Sequence, residues 1–86
     1  MYDKLDNEIQ YEKFKTSDLG LIVFLSLNFN ILEIEKPDSK RAYFIFDKNP
    51  ELVEALATYW NGEARVDPSK YFMQIKIIKN RIYENM

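Results

Sequence analysis

The sequence predicts a small α+β domain in which a helix, a β-hairpin and two further helices follow one another. Two apolar segments of strand type, residues 31–36 and 41–47, flank a turn that contains Pro37. Two later segments each begin with a capping residue followed by proline, at Asn49 and at Asp67. Because a two-stranded hairpin needs cover to persist, we expect the helices to pack on one of its faces. A chain of 86 residues suffices for one such domain.

Residues 1–15 form a polar N-terminal segment ahead of the globular domain, which we assign to residues 16–86. Its apolar points of attachment are Ile9, Tyr11 and Phe14. The near-alternation of Ile9 and Tyr11 is typical of a short strand, but a tail docked on the domain explains the same residues. From sequence alone both alternatives stay open.

The first helix is predicted from residue 19 onward. Three N-cap candidates precede it in the chain: Thr16, Ser17 and Asp18. Seven of the nine residues from 19 to 27 are apolar, so a helix here would be nearly surrounded by protein. A buried strand also fits this apolar run. The cap candidates and the length favour a helix that ends near Asn28 to Asn30.

The hairpin is predicted from alternation and from turn chemistry. In its first strand, Leu32 and Ile34 share one face, while Glu33 and Glu35 share the other. Residues 37–40 supply the Pro, Asp and Ser that favour a turn. The second strand has high strand propensity, and three of its residues share one face: Ala42, Phe44 and Phe46.

Helical periodicity predicts the last two helices. The first of them starts at Asn49-Pro50 and ends at Asn61-Gly62. The second starts at Asp67-Pro68 and continues towards the end of the chain with one apolar ridge: Tyr71, Ile75, Ile78 and Ile82. We expect this ridge to lie inward and to leave the lysines of the helix in solvent. The architecture depends on that orientation.

Composition argues against most catalytic chemistry. The chain has no histidine and no cysteine, and so lacks the usual proton shuttle, a thiol nucleophile and the common zinc, haem and iron–sulfur ligands. Glu33 and Glu35 share a strand face, as catalytic carboxylates do, but we interpret them as charge that protects a sheet edge. We predict that the protein is not an enzyme and uses no cofactor and no metal.

Charge is distributed unevenly along the chain. The formal charge is −2, yet residues 65–83 hold five basic residues and one acidic residue, a local charge of +4. The longest apolar-rich stretch, residues 19–32, is too short and too polar to span a bilayer. Residues 1–10 are polar and have no signal-peptide pattern. We therefore expect a cytoplasmic protein without a membrane partner.

Tyr59, Trp60 and Arg65 are the candidate protein-binding residues, since Tyr and Trp are favoured at binding surfaces. The alternative is structural: Trp60 covers the core where the last two helices meet, and Arg65 pairs with Glu63 or Asp67. We favour this alternative because tryptophan is usually well buried.

The candidate nucleic-acid-binding residues lie on the last helix: Lys70, Phe72, Lys76, Lys79, Arg81 and Tyr83. Basic residues interleaved with aromatic ones suit a surface that follows phosphates and stacks bases. In the alternative, which we favour, Phe72 and Tyr83 flank the core and the lysine stems lie over it.

The chain resembles a family of short single-domain proteins that is known only as a domain of unknown function. Most of its members come from phages, mobile elements and little-studied bacteria and archaea. Four segments carry the likeness: Phe14–Leu19, Tyr43–Phe46, Tyr59–Pro68, and Phe72 with Lys76 and residues 81–83. The resemblance implies a fold and a phage or mobile-element setting. It implies no activity, cofactor or catalytic residue.

These observations predict a non-catalytic interaction module that binds a protein partner or a second copy of itself. In a phage setting it would be an accessory or inhibitor protein in the host cytoplasm. The alternative is a nucleic-acid-binding accessory protein that uses the basic last helix.

Overall fold

The structure, a computed structural model, describes residues 12–83. These residues form the predicted α+β domain, with three helices and a three-stranded sheet. In chain order the elements are β1 (Lys13–Thr16), α1 (Leu19–Ser26), β2 (Ile31–Asp38), β3 (Arg41–Asp47), α2 (Pro50–Trp60) and α3 (Pro68–Tyr83).

The sheet has the order β1-β3-β2, and both of its pairings are antiparallel. β1 adds a strand to the predicted hairpin, with Phe14 opposite Phe46 and Thr16 opposite Phe44. Residues 13–16 therefore form a strand, which is one of the two expectations for the N-terminal segment. Ile9 and Tyr11, on which that expectation also rested, lie outside the described residues.

One β-bulge changes which residues of β2 face the core. Ile31 pairs with Phe46 and Glu33 with Ile45, so two steps along β2 match one step along β3. Leu32 is the extra residue and is 50% exposed. The prediction that Leu32 and Ile34 share one face was wrong: Ile34 packs against the core and Leu32 does not, because strict alternation does not continue through a bulge.

A second bulge carries β2 beyond the predicted start of the turn. Glu35 pairs with Tyr43 and Asp38 with Arg41, so β2 includes Pro37 and ends at Asp38. Proline is tolerated there because β2 is an edge strand and the position lies in a bulge. The turn itself is Ser39-Lys40, and the Lys40 amide donates to the Asp38 carboxylate over 2.8 Å.

The caps explain where the helices begin. The Leu21 amide donates to Asp18 at the start of α1, and the Leu52 amide donates to Asn49 at the start of α2. α1 ends at Ser26, slightly before the predicted Asn28. α2 ends as predicted, because Gly62 adopts a φ of +75° and amides 62 and 63 donate to carbonyls 59 and 58.

The core lies on one face of the sheet, between the sheet and all three helices. Phe44 and Phe46 of β3 pack with four residues of α1, two of α2 and one of α3: Leu21, Ile22, Val23, Leu25, Leu52, Leu56 and Ile78. α1 packs against both other helices. On the opposite sheet face a Lys15–Glu35 ion pair of 2.9 Å joins the two strands that flank β3.

Candidate functional site

α3 presents one side to the core and the rest to solvent. Ile78 is fully buried, and Tyr71, Ile75 and Ile82 pack against the core, so the predicted inward ridge is confirmed. Two side-chain bonds attach the same side to α1: the Tyr71 hydroxyl donates to the Gly20 carbonyl over 3.1 Å, and the Gln74 amide donates to the Ser26 hydroxyl over 3.0 Å. The orientation of α3 is therefore set by one side of the helix, and its outer residues are available for contacts.

Three large apolar residues on the solvent side of α3 are about half exposed or more. Phe72 is 58% exposed, Met73 63% and Ile77 47%. Met73 and Ile77 are neighbours at a spacing of four, and Phe72 lies about 100° round the helix from Met73. The Lys76 ammonium lies 4.8 Å from the centre of the Phe72 ring. We call Phe72, Met73 and Ile77 the outer patch.

The nucleic-acid candidates on α3 divide between two flanks of the helix. At about 100° per residue, one flank carries four of them: Phe72, Lys76, Lys79 and Tyr83. Lys70 and Arg81 lie roughly 160° further round the helix. Phe72 and Tyr83 are 58% and 62% exposed, which corrects the interpretation that both serve mainly to flank the core.

The protein-binding candidates also point in different directions. Tyr59 turns inward, where its ring lies 5.4 Å from that of Phe24, and burial raises the pKa of its hydroxyl. Trp60 is 62% exposed and makes an edge-on contact with Phe14 of β1, with ring centres 6.4 Å apart. Arg65 is exposed in the segment that joins α2 to α3. The structure therefore turns Tyr59 towards the core, whereas Trp60 and Arg65 stay exposed.

The structural alternative for Trp60 and Arg65 was wrong. Trp60 does not cover the core, because α2 and α3 both pack on α1 and the Trp60 side chain lies beside β1 instead. Arg65 makes no ion pair with Glu63 or Asp67, two residues that the structure describes. The Asp67 carboxylate instead caps α3 by accepting from the Ser69 amide and hydroxyl and from the Lys70 amide. These bonds, led by that of Ser69, lower the pKa of Asp67 below its ordinary 3.8.

A cleft of about 360 Å³ lies where the β2–β3 turn meets the start of α1 and the end of α3. Four basic residues line it: Lys36, Lys40, Arg41 and Lys79. We call it the basic cleft. Sequence reasoning named only Lys79 of these four. The signal that would have found the others is three basic residues within six positions around the turn.

The acidic residues considered for catalysis or metal binding do not form such a site in the described part of the chain. Glu35 forms its ion pair with Lys15, and its hydrogen bond and charge raise the pKa of that lysine. Glu33 and Glu35 thus lie on an edge strand, on a sheet face shared with a lysine. Within residues 12–83, no group of three or more acidic side chains is placed to hold a metal ion.

Fold and surface together define a small α+β domain with an exposed apolar patch and a basic cleft. The family model of the DUF5659 domain of unknown function matches residues 11–84, and the chain belongs to this family. No curated protein and no solved structure matches the chain. Among residues 12–83, the helices lack the length and the apolar character needed to cross a membrane.

Proposed function

We propose that this protein is a non-catalytic binding module whose working surface is the outer patch of α3. The observation that carries the proposal is the exposure of Phe72, Met73 and Ile77 on the solvent side of one helix. The opposite side of α3 packs against the core, so these three side chains contribute less to the stability of the fold than the core-facing ones. A pair of exposed apolar residues at helical spacing, such as Met73 and Ile77, with charged neighbours is typical of protein interaction sites.

The charge of α3 favours an acidic partner with an apolar centre. Between Pro68 and Tyr83 the helix has four basic residues and no acidic one. If two copies docked through α3, like charges would face each other at a cost. A partner surface that presents apolar side chains within a carboxylate rim would satisfy both the patch and its basic neighbours. We therefore prefer a different protein to a second copy of this one.

The setting of this activity follows from the resemblance described above. Likeness to proteins of phages and mobile elements supports a role as an accessory or inhibitor of host or mobile-element machinery. The host cytoplasm is then the expected location, and the absence of cysteine suits a reducing compartment.

Site-specific photo-crosslinking in the native cell tests the proposal. A photoreactive residue at Met73 should give one dominant cross-linked protein. The same probe at Val53, an exposed apolar position on α2, is the control and should not give that product. Identical products from both positions, or none from Met73, would contradict the proposal.

The cross-linked protein is then purified and its binding measured directly by calorimetry. Ile77→Glu should weaken binding at least about tenfold, because it places a carboxylate against an acidic, apolar partner. Thermal unfolding of this variant should match the wild type, since Ile77 lies outside the core. Sedimentation of the protein alone tests self-association, and a dimer disrupted by Ile77→Glu would replace our preferred partner with a second copy.

Nucleic-acid binding is the second candidate function. It is favoured by the flank of α3 on which Phe72, Lys76, Lys79 and Tyr83 lie, because this flank leads into the basic cleft. Lys76→Glu combined with Lys79→Glu should abolish a mobility shift that weakens steeply with salt. Lys70→Glu, on the other flank, is the control. Equal weakening by Lys70→Glu, or binding insensitive to salt, would contradict this candidate.

A further inference from the structure

The basic cleft concentrates positive charge in a protein that is acidic as a whole. The chain has 12 basic and 14 acidic residues, yet four basic residues line this cleft. Among the described residues, Asp38 is its one acidic lining residue, and the Asp38 carboxylate is engaged by the Lys40 amide. With four cations and one carboxylate, the lining of this concave surface is positive on balance and focuses its potential, so an anion is the expected ligand.

One of the four cations holds the cleft together. The Lys36 ammonium donates to the main-chain carbonyl of Ile82, and so ties β2 to the last turn of α3. The two main walls of the cleft are therefore joined before any ligand arrives.

The other three cations are placed to meet a ligand. Lys40 and Lys79 are exposed and make no ion pair within residues 12–83. The Arg41 guanidinium donates to the Tyr43 hydroxyl over 3.1 Å, on the sheet side away from the core, and its remaining N–H donors can reach a ligand at the rim of the cleft. Two lysines and an arginine provide point charge and directed hydrogen bonds, the combination that binds phosphate.

The rest of the cleft is apolar and ends in an aromatic ring. Its apolar lining comes from α1, β3 and α3: Leu19, Ile22, Ala42, Ile82 and Tyr83. Tyr83 is exposed, so one face of its ring can accept a stacked group. A bare inorganic anion gains nothing from such a lining, whereas a phosphate that carries a flat aromatic base does.

We propose that the basic cleft is a nucleotide site, in which Lys40, Arg41 and Lys79 bind a phosphate group and Tyr83 stacks on the base. The ligand chemistry is a phosphate ester joined to a nucleobase, which a free mononucleotide and one unit of a single strand share. The proposal does not depend on protein binding through the outer patch. For a single strand, it deepens the second candidate function by adding Lys40 and Arg41.

The test titrates the full chain with adenosine monophosphate and, separately, with a short single-stranded oligonucleotide. Backbone amide NMR shifts should change around residues 36–42 and 79–83 and stay constant in α2. Lys40→Glu and Lys79→Glu should each weaken binding at least about tenfold, as expected for loss of a charge-assisted phosphate contact. Lys13→Glu makes the same charge change at the opposite end of the sheet and should weaken binding less than about twofold.

Each outcome decides the proposal. Binding of either ligand that the cleft variants weaken and Lys13→Glu does not supports the site, and the ligand that binds identifies the source. Tyr83→Ala should weaken binding at least about fivefold through lost stacking. Absence of shifts with both ligands, or equal weakening by Lys13→Glu, overturns the proposal. Thermal unfolding of each variant confirms that the fold persists.

Discussion

α1 and α3 both contribute to the core, but they differ in how much of their surface is buried. α1 has eight residues, and four of them are almost completely buried: Leu21, Ile22, Val23 and Leu25. α3 is twice as long, and only Ile78 is buried to that degree. A helix surrounded by protein has no face left for a ligand, whereas a helix that packs on one side can present the other. The comparison teaches that stability is concentrated in α1, while α3 keeps an exposed side on which the proposed binding depends.

The same substitution in the two helices gives the largest expected contrast. Ile22→Ala in α1 should lower the free energy of unfolding by about 2–5 kcal/mol, because Ile22 is 1% exposed and its loss leaves a cavity. Ile77→Ala in α3 should change it by less than about 0.5 kcal/mol, because Ile77 is 47% exposed. Urea unfolding measures both values. Similar losses in the two variants would break the comparison.

Gly20 tests how tightly the neighbours of α1 approach it. A Cβ at this position would lie 2.8 Å from the Tyr59 hydroxyl, and the Tyr59 ring is held against Phe24. Gly20→Ala should therefore destabilise the fold by about 1–3 kcal/mol through overpacking, although alanine is the better helix former.

Tyr59→Phe removes the hydroxyl and serves as the control for Gly20→Ala. In the Tyr59→Phe background, the cost of Gly20→Ala should shrink or reverse, and chemical denaturation of the four proteins in a double-mutant cycle measures this coupling. Additive effects would show that the close approach of Tyr59 to α1 does not limit this position.

The N-cap of α3 offers the test with the smallest expected effect on stability. Asp67 at the start of α3 accepts from three donors, and its pKa lies below the ordinary 3.8. The charged form is favoured in the folded state, so its contribution is present above the unfolded pKa and is lost as pH falls through the folded one. Asp67→Asn should make stability vary less with pH below about pH 5.

Thermal unfolding across acid pH measures the effect of Asp67→Asn. Asp38→Asn changes an exposed aspartate at the end of β2 and provides a comparison at another carboxylate that accepts from a main-chain amide. An unchanged acid profile in Asp67→Asn would show that the cap of α3 contributes nothing through its charge.

Sequence reasoning succeeded where the determining signal is local. A capping residue followed by proline is a signal for a helix start that needs only two residues. It occurs at Asn49-Pro50 and Asp67-Pro68, and both helices begin at the proline. The ridge of α3 was predictable because helical spacing alone brings Ile75, Ile78 and Ile82 to one side. Neither inference required knowledge of what the helix packs against.

Sequence reasoning failed where the position of a side chain depends on pairing or packing between distant segments. Leu32 faces away from the core because of how β2 registers with β3, and the residues of β2 alone do not encode that offset. Trp60 is exposed because α1 lies against both later helices, which periodicity does not reveal. The basic cleft joins a turn to a helix end about forty residues later, and only the folded chain brings Lys40 and Lys79 to one cavity.

The outer edge of β2 has a consequence for the way in which other chains can approach. A peptide that extends a sheet needs an unbroken row of amides and carbonyls in step with its own. Along β2 the register of these groups shifts at both bulges, and Pro37 has no amide hydrogen to donate. This border is therefore protected from strand addition and from the growth of fibrils. Any molecule recognised on that side must be held by side chains.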